Sequence, residues 1–187
     1  MSVSAFKEWH SIVEALVRGE QILILRKGGI AEGRGGFQVK AERFWLLPTY
    51  FHAQEQKLKP TIAADVPAKP AHSEAPASFT IRCFAEITVH AFLSDWAAVA
   101  RLNPFHRWSE ATIRERFEWS KPPGLHAFIV RIHRLHEPFS VAATPELAGC
   151  KSWVELPNDF DSFASSPAVN DDSFAQRSAA IQSAWSP

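Results

Sequence analysis

The residues whose types suit chemistry best lie together in residues 26–36, where glycines alternate with charged side chains. Five of the chain's eight glycines fall in this stretch. Glycine permits backbone conformations in which successive N–H groups face one concave surface that binds anions. The basic side chains of the stretch add positive charge. The sequence therefore predicts a site for a phosphate-type anion, formed by Arg26, Lys27, Gly28, Gly29 and Arg34.

The same stretch can also be interpreted as a charged hairpin loop with no ligand. Strand-like runs flank it, Gln21–Leu25 before and Phe37–Lys40 after, and glycine is common in turns that join strands. A Walker A loop needs Lys directly before Ser or Thr with a helix behind the loop, and a dinucleotide-binding fingerprint needs the same helix. Because a strand is predicted there, both nucleotide motifs are excluded, and the hairpin and the anion site stay open.

A metal-dependent nuclease of the restriction-endonuclease-like type is the alternative function, because a helix followed by three strands begins that core. Such a site needs an acid on one strand and acid-x-Lys on the next, so that carboxylates hold Mg²⁺. The chain has Gln38 where the acid before Lys40 should stand. Glu14 and Glu32 could supply oxygen ligands. This alternative assigns catalysis to Glu14, Glu32 and Lys40 with Mg²⁺ as cofactor, and whether the protein is an enzyme stays open.

A second group of residues that could bind a ligand is aromatic and basic, and it lies in residues 105–119. His106 and Trp108 stand beside arginines, and arginine planes with aromatic rings can stack on unpaired bases. The other interpretation is that the rings belong to the core and the arginines to a solvated helix face. Interleaved glutamates favour the core interpretation, because they cancel the local field. The histidines show no spacing typical of a zinc site, so no metal site is predicted.

Composition limits the class of protein and its partners. The chain has 187 residues, of which 46% are hydrophobic and 12% aromatic, which is enough for one sizeable core. Twenty basic and twenty acidic residues give a formal charge of zero, so nucleic-acid binding must be local. No signal peptide or membrane-spanning run is evident, which predicts a cytoplasmic protein with Cys83 and Cys150 reduced. The candidate partners are nucleic acid or a phosphorylated small molecule, and no membrane; the sequence leaves the oligomeric state open.

The elements predicted to position these residues form one α+β domain over residues 1–156. Apolar residues at helical spacing predict an amino-terminal helix from Ser4 to Arg18, packed on a mainly antiparallel sheet. Two short helices are predicted between later strands. Residues 57–77 are rich in proline and alanine and predict a flexible insert. Residues 157–187 predict a disordered tail. The other predicted strands are 43–47, 79–89, 126–135, 139–142 and 152–156.

Several motifs resemble a bacterial family known as domain of unknown function 1802, over roughly residues 5–156. The residues that carry the resemblance are Glu8-Trp9, Ala15-Leu16, Gly19, Arg26 to Ile30, Phe37, Leu47-Pro48-Thr49 with His52, His106 to Ser109, Arg116, Trp119, Arg131 and Gly149 to Trp153. The family has no established activity, so the resemblance implies no mechanism. It adds Thr49 and His52 to the candidate ligand site, because both lie in the shared motifs.

Overall fold

A computed structural model describes residues 2–27, 39–50, 55–60, 77–119, 122–147, 149 and 151–186. Within these residues the chain forms one seven-stranded sheet and four α-helices. The predicted α+β class is confirmed. None of the described helices is long and apolar enough to cross a bilayer.

The chain begins with a strand, so the prediction of an amino-terminal helix from Ser4 was wrong. Strand β1 covers Val3–Trp9 and helix α1 covers only His10–Val17. β1 runs parallel to β3, Arg43–Thr49, and antiparallel to β6, Trp153–Leu156. Neighbours on both sides satisfy its backbone, and four consecutive residues, 5–8, are buried. Helical spacing of the apolar residues could not reveal pairing with strands this far along the chain.

The remaining strands are β2 (Leu23–Arg26), β4 (Ser78–Leu93), β5 (Leu125–Ala142) and β7 (Ser165–Pro167). The sheet has the strand order β2-β5-β4-β3-β1-β6, with β7 beside β5. Five of the six described pairings are antiparallel. Strand β2, Leu23–Arg26, pairs with β5, Leu125–Ala142, and not with the strand that follows it. β2 and β3, which follow each other among the described strands, are therefore not neighbours in the sheet. Residues 28–36 of the glycine stretch lie outside the described residues, so the hairpin and the anion site both stay predictions.

Strand β4, Ser78–Leu93, pairs with β5 over most of its length and with β3 at Arg43–Trp45. Two short helices lie between β4 and β5, as predicted: α2, Trp96–Arg101, and α3, Glu110–Glu118. The side chains of Asp95 and Ser109 cap them by accepting hydrogen bonds from the first-turn amides.

The segment after Pro157 corrects the prediction of a disordered tail. It forms strand β7, Ser165–Pro167, and helix α4, Asp171–Trp185. Phe174 and Ile181 of α4 are buried in the main core. These apolar residues are too sparse to form a local core, but each is covered by elements distant in sequence, which composition does not show.

The tail also closes on the turn between α1 and β2. Gly19 has φ +70°, and a Cβ there would lie 2.8 Å from the carbonyl oxygen of Ala168. Arg177 donates to the carbonyl oxygens of Gly19 and Glu20, the latter at 2.8 Å. The turn therefore needs glycine both for its backbone conformation and for the close approach of the tail.

The predicted insert at 57–77 begins with residues that belong to the fold. Leu58 is 3% exposed and forms an isolated bridge with Trp108. The amide of Lys59 donates to the carbonyl oxygen of Arg107 at 3.0 Å. Residues 61–76, the greater part of that prediction, lie outside the described residues.

Candidate anion-binding site

Arg116 of α3 reaches the inside of the molecule at the ends of β1 and β2. Its guanidinium carbon lies 4.7 Å from the ring centroid of Trp9 and 5.0 Å from that of Trp108. Nη1 donates to the carbonyl oxygen of Leu25 at 3.1 Å. Burial lowers the pKa of Arg116 to about 10, Glu8 acts in the opposite direction and Arg26 lowers it further. Arg116 therefore carries its charge at neutral pH.

Arg26, the last residue of β2, supplies the second guanidinium. Its Nη2 donates to the hydroxyl of Ser152 at 3.0 Å, just before β6, and its charged end lies 5.3 Å from the ring centroid of Phe6. β2 and β6 stand at opposite ends of the strand order, so these contacts show that the sheet curls until its edges approach each other. Nε of Arg26 is buried and has no hydrogen-bond partner among the described residues.

Glu8 of β1 is the carboxylate beside these arginines, and it is 0% exposed. Its Oε1 accepts a hydrogen bond from the amide of Trp9 at 2.7 Å, whereas the buried Oε2 has no partner within the described chain. The carbonyl oxygen of Glu8 accepts from the hydroxyl of Thr49 at 3.0 Å. Burying a carboxylate is costly unless opposite charge compensates it. Glu8 offsets one of the two guanidinium charges and leaves a net positive centre.

His106 and Trp108 form one wall of this centre. Their ring centroids are 5.7 Å apart, and both side chains are nearly or fully buried. Burial, with help from Lys59 and Arg116, lowers the pKa of His106 to about 3, so the imidazole is neutral. Nδ1 of His106 and Nε1 of Trp108 find no partner in the part of the chain that the structure describes. The ammonium group of Lys59 donates to the carbonyl oxygen of His106 at 2.5 Å and helps to hold the backbone of this residue in position.

Lys27 lies at the edge of the centre, where the described part of β2 ends. Its ammonium group donates to the carbonyl oxygen of Phe117 at 2.9 Å, and burial lowers its pKa. Four residues predicted for ligand binding reach this region by different routes. The hydroxyl of Thr49 contacts Glu8, and the ring of Trp108 lies under Arg116. His106 packs against Trp108, and Arg26 interacts electrostatically with Arg116. Gly28, Gly29, Arg34 and His52 lie outside the described residues, so their part in the site stays a prediction.

Sequence analysis assigned no site role to Glu8, Trp9 or Ser152, although all three lie in the motifs that carry the family resemblance; Arg116 belongs to the aromatic and basic group predicted at residues 105–119. Their residue types alone do not distinguish them from surface charges and core aromatics. Their membership in those motifs was the signal that could have found them.

The residues of the nuclease alternative are placed differently. Glu14 of α1 accepts a hydrogen bond from Arg82 at 2.6 Å, and this ion pair occupies its carboxylate. Lys40 is exposed in the irregular segment before β3, where a strand was predicted. Glu32 lies outside the described residues. No group of three His, Cys, Asp or Glu residues that could hold a metal ion occurs among the residues described.

Comparison with family models decides the relationship of the chain. The model described as "Domain of unknown function (DUF1802)" matches residues 5–180. The chain belongs to this family. The resemblance seen in the motifs is confirmed, and the DUF1802 match reaches beyond residue 156 into the ordered tail.

Solved structures that overlap the DUF1802 fold include ASCH proteins from Zymomonas mobilis. A mutant ASCH protein is 18% identical and overlaps 73% of this chain and 72% of its own, with a TM-score of 0.42. Another ASCH structure is 18% identical over 72% of this chain and 68% of its own, also with a TM-score of 0.42. At this identity and TM-score the overlap carries no conclusion about function. No curated protein matches the chain.

Proposed function

We propose that this DUF1802 protein binds single-stranded nucleic acid, and that a phosphate of the strand sits at the centre formed by Arg26 and Arg116. The observation that carries the proposal is that the buried guanidinium of Arg116 interacts electrostatically both with Arg26 and with the buried carboxylate of Glu8. The centre carries one positive charge that Glu8 does not offset, and its guanidinium groups present several N–H donors in one plane. Both features suit a phosphate group.

The buried polar atoms that lack partners among the described residues support a ligand. Four of them belong to this centre: Glu8 Oε2, Arg26 Nε, His106 Nδ1 and Trp108 Nε1. Each unsatisfied buried group costs about 1–3 kcal/mol, and apolar residues of similar volume would remove that cost. Donors from Arg26 and Trp108 match phosphate oxygens. The acceptor Glu8 Oε2 matches a hydroxyl or amino group, and nucleotides carry both kinds of partner.

The glycine-rich stretch enters the proposal because it follows Lys27 directly in the sequence. We propose that Gly28, Gly29 and Arg34, which lie outside the described residues, contribute to binding the phosphate, in keeping with the anion-binding chemistry of glycine-rich, basic stretches. Zero net charge fits a partner recognised at one local centre rather than by a global field. Free phosphorylated molecules share this chemistry, and a cytoplasmic location would give access to both.

The test compares binding of a labelled ten-nucleotide single strand and of a nucleoside monophosphate to the parent protein and to Arg26→Gln. Glutamine keeps a donor for Ser152 but removes the charge. We expect binding of the strand to weaken roughly tenfold or more, because charge-assisted contacts with phosphate are strong. The affinity of the parent should fall with added salt.

Arg114→Gln is the matched control, since Arg114 lies on the same helix as Arg116 but pairs with Glu118 on the surface. It should bind like the parent. Melting temperatures of all variants must agree within a few degrees. Equal binding by the parent and Arg26→Gln, or none by the parent at low salt, would contradict the proposal.

A further inference from the structure

We infer that the exposed rings of Phe92 and Trp119 form a stacking surface for the bases of the strand whose phosphate lies at Arg26. The inference rests on the proposed function and adds the residues that would contact the bases. Phe92 is 50% exposed and Trp119 is 61% exposed. Aromatic faces held open to solvent bind bases without regard to sequence, because every base has a π-face.

Hydrogen bonds at the end of helix α3 connect Lys27 with the residue that lies against the ring of Phe92, and Trp119 follows at the same end of the helix. The carbonyl oxygen of Phe117 accepts from the ammonium group of Lys27 at 2.9 Å and from the amide of Gly124 at 3.0 Å. Gly124 lies directly against the ring of Phe92. Trp119 follows Phe117 by two residues at the carboxyl end of α3. The carbonyl group of Phe117 therefore connects the ammonium group of Lys27 with Gly124, which lies against the ring of Phe92. Trp119 lies two residues further along the chain, at the end of the same helix.

The ring of Phe92 is held in position before any ligand binds. A Cβ at Gly124 would lie 2.3 Å from the ring, so only glycine leaves room for this placement. On another side, the ring centroid of His126 lies 5.0 Å from that of Phe92. His126 stacks in turn on His90, and Nδ1 of His126 lies 3.0 Å from Nε2 of His90. An exposed ring with fixed orientation loses little conformational entropy when it stacks, which favours binding.

The order of these groups in the protein sets the path of the bound nucleic acid. Helix α3 carries Arg116 into the charged centre and Trp119 at its exposed end. Arg26 lies in the centre, and its neighbour Lys27 reaches the carbonyl oxygen at the end of the helix. A backbone phosphate at Arg26 and Lys27 therefore leaves the adjacent bases next to Phe92 and Trp119. Charge and aromatic surface suit a polyanion with splayed bases, and a paired duplex would hide the faces that stack.

The experiment measures fluorescence anisotropy with two ligands of equal length and charge, a ten-nucleotide single strand and an abasic phosphodiester. Phe92→Leu and Trp119→Leu keep apolar bulk and remove the ring. Phe92→Tyr and Trp119→Phe keep a ring and serve as matched controls. We expect each leucine variant to weaken binding of the strand roughly tenfold while binding of the abasic ligand stays unchanged. The aromatic variants should bind the strand like the parent.

Several results would overturn the stacking surface: unchanged binding by both leucine variants, equal weakening for the abasic ligand, or a duplex that binds as well as the single strand. Failure of the charged centre gives a different pattern, because Arg26→Gln would then leave both ligands unaffected while the ring variants still weaken the strand. Sedimentation of the parent supplies a further check. If the two rings instead join copies of the chain, the leucine variants would abolish a dimer, and the inference would be wrong.

Discussion

Two fully buried tryptophans, Trp45 and Trp108, show what separates a structural region of this molecule from its candidate site. Both are 0% exposed. The indole nitrogen of Trp45 donates to the carbonyl oxygen of Asn158 at 3.0 Å. The indole nitrogen of Trp108 has no partner among the described residues. A buried indole normally finds an acceptor, so the region around Trp45 is complete within the protein and the region around Trp108 is not.

The arginines of the two regions differ in the same way. Arg43 lies over the rings of Phe84 and Phe160 with its guanidinium carbon 4.5 and 4.8 Å from their centroids. Its side chain is 44% exposed, so water solvates the charge. Arg116 makes similar contacts with two rings inside the fold. Ring contacts alone therefore do not distinguish the two arginines. Burial of the charge beside polar atoms without partners does.

Trp45→Ala should produce the largest change and confine it to stability. Trp45 packs against Phe84, Phe139, Phe160 and Phe163. Removing a large aromatic side chain from a core costs about 3–5 kcal/mol, so we expect the melting temperature to fall on the order of 10 °C. Below the transition, the folded variant should bind the single strand like the parent. Weaker binding by the folded variant would mean that the region around Trp45 also contributes to ligand binding.

The charged centre should show coupling between its members. Arg116→Met leaves Glu8 buried without the cation that interacts with it and should destabilise the protein by about 3 kcal/mol. Adding Glu8→Gln should restore about 1–3 kcal/mol of that loss, because the unpaired charge is gone. Urea denaturation of the parent, both single variants and the double variant gives the coupling energy. The double variant should regain stability but not nucleic-acid binding, and additive effects would show that the two groups are independent.

The neutral imidazole of His106 should make stability depend on pH. Its pKa is about 3 in the folded protein and 6.5 ordinarily, so between these values the unfolded chain binds a proton that the folded chain does not. Stability therefore falls as pH falls through this window, by roughly 1.4 kcal/mol per unit at the steepest. His106→Asn should lower that slope relative to the parent in urea titrations at pH 6.5, 5.5 and 4.5. Equal slopes would place His106 in contact with water.

Arg43→Met should have the smallest effect. The exposed guanidinium gains about 0.5–1 kcal/mol from its aromatic neighbours, and methionine keeps part of the apolar contact. We expect a change in melting temperature of a few degrees at most, with unchanged ligand binding. A loss comparable to that of Arg116→Met would mean that burial does not distinguish the two arginines.

Parts of the fold were predictable where local pattern decides the structure. Alternation predicted a strand within β4, and an apolar run predicted β3 from Arg43. The two short helices between later strands were predicted as well. The identity of β1 and the pairing order were not predictable, because they depend on contacts between residues about 150 positions apart, such as Phe6 with Trp153. No periodicity within a short window reports such a partner.

The residues of the candidate site likewise fall into those that the local sequence could reveal and those that it could not. Arg26, His106 and Trp108 drew attention by residue type and by neighbours in the sequence. Glu8 did not, because a lone glutamate in an apolar stretch has no local feature that shows it is buried. It becomes unusual only when the fold buries it within electrostatic reach of Arg116, and the curvature that brings β2 and β6 together is a property of the whole sheet.

The order in which synthesis delivers the strands has a consequence for folding. Strand β1 is made long before one of its two neighbours, β6, which begins at residue 153, and Arg26 is made long before Ser152. Until residues 152–156 are made, β1 therefore has at most one neighbour, β3, and Arg26 lacks the hydroxyl group that accepts its hydrogen bond. Folding dominated by such distant contacts is slow. A chain truncated before residue 152 would lack both the second neighbour of β1 and this contact of Arg26, although it would contain both arginines of the charged centre.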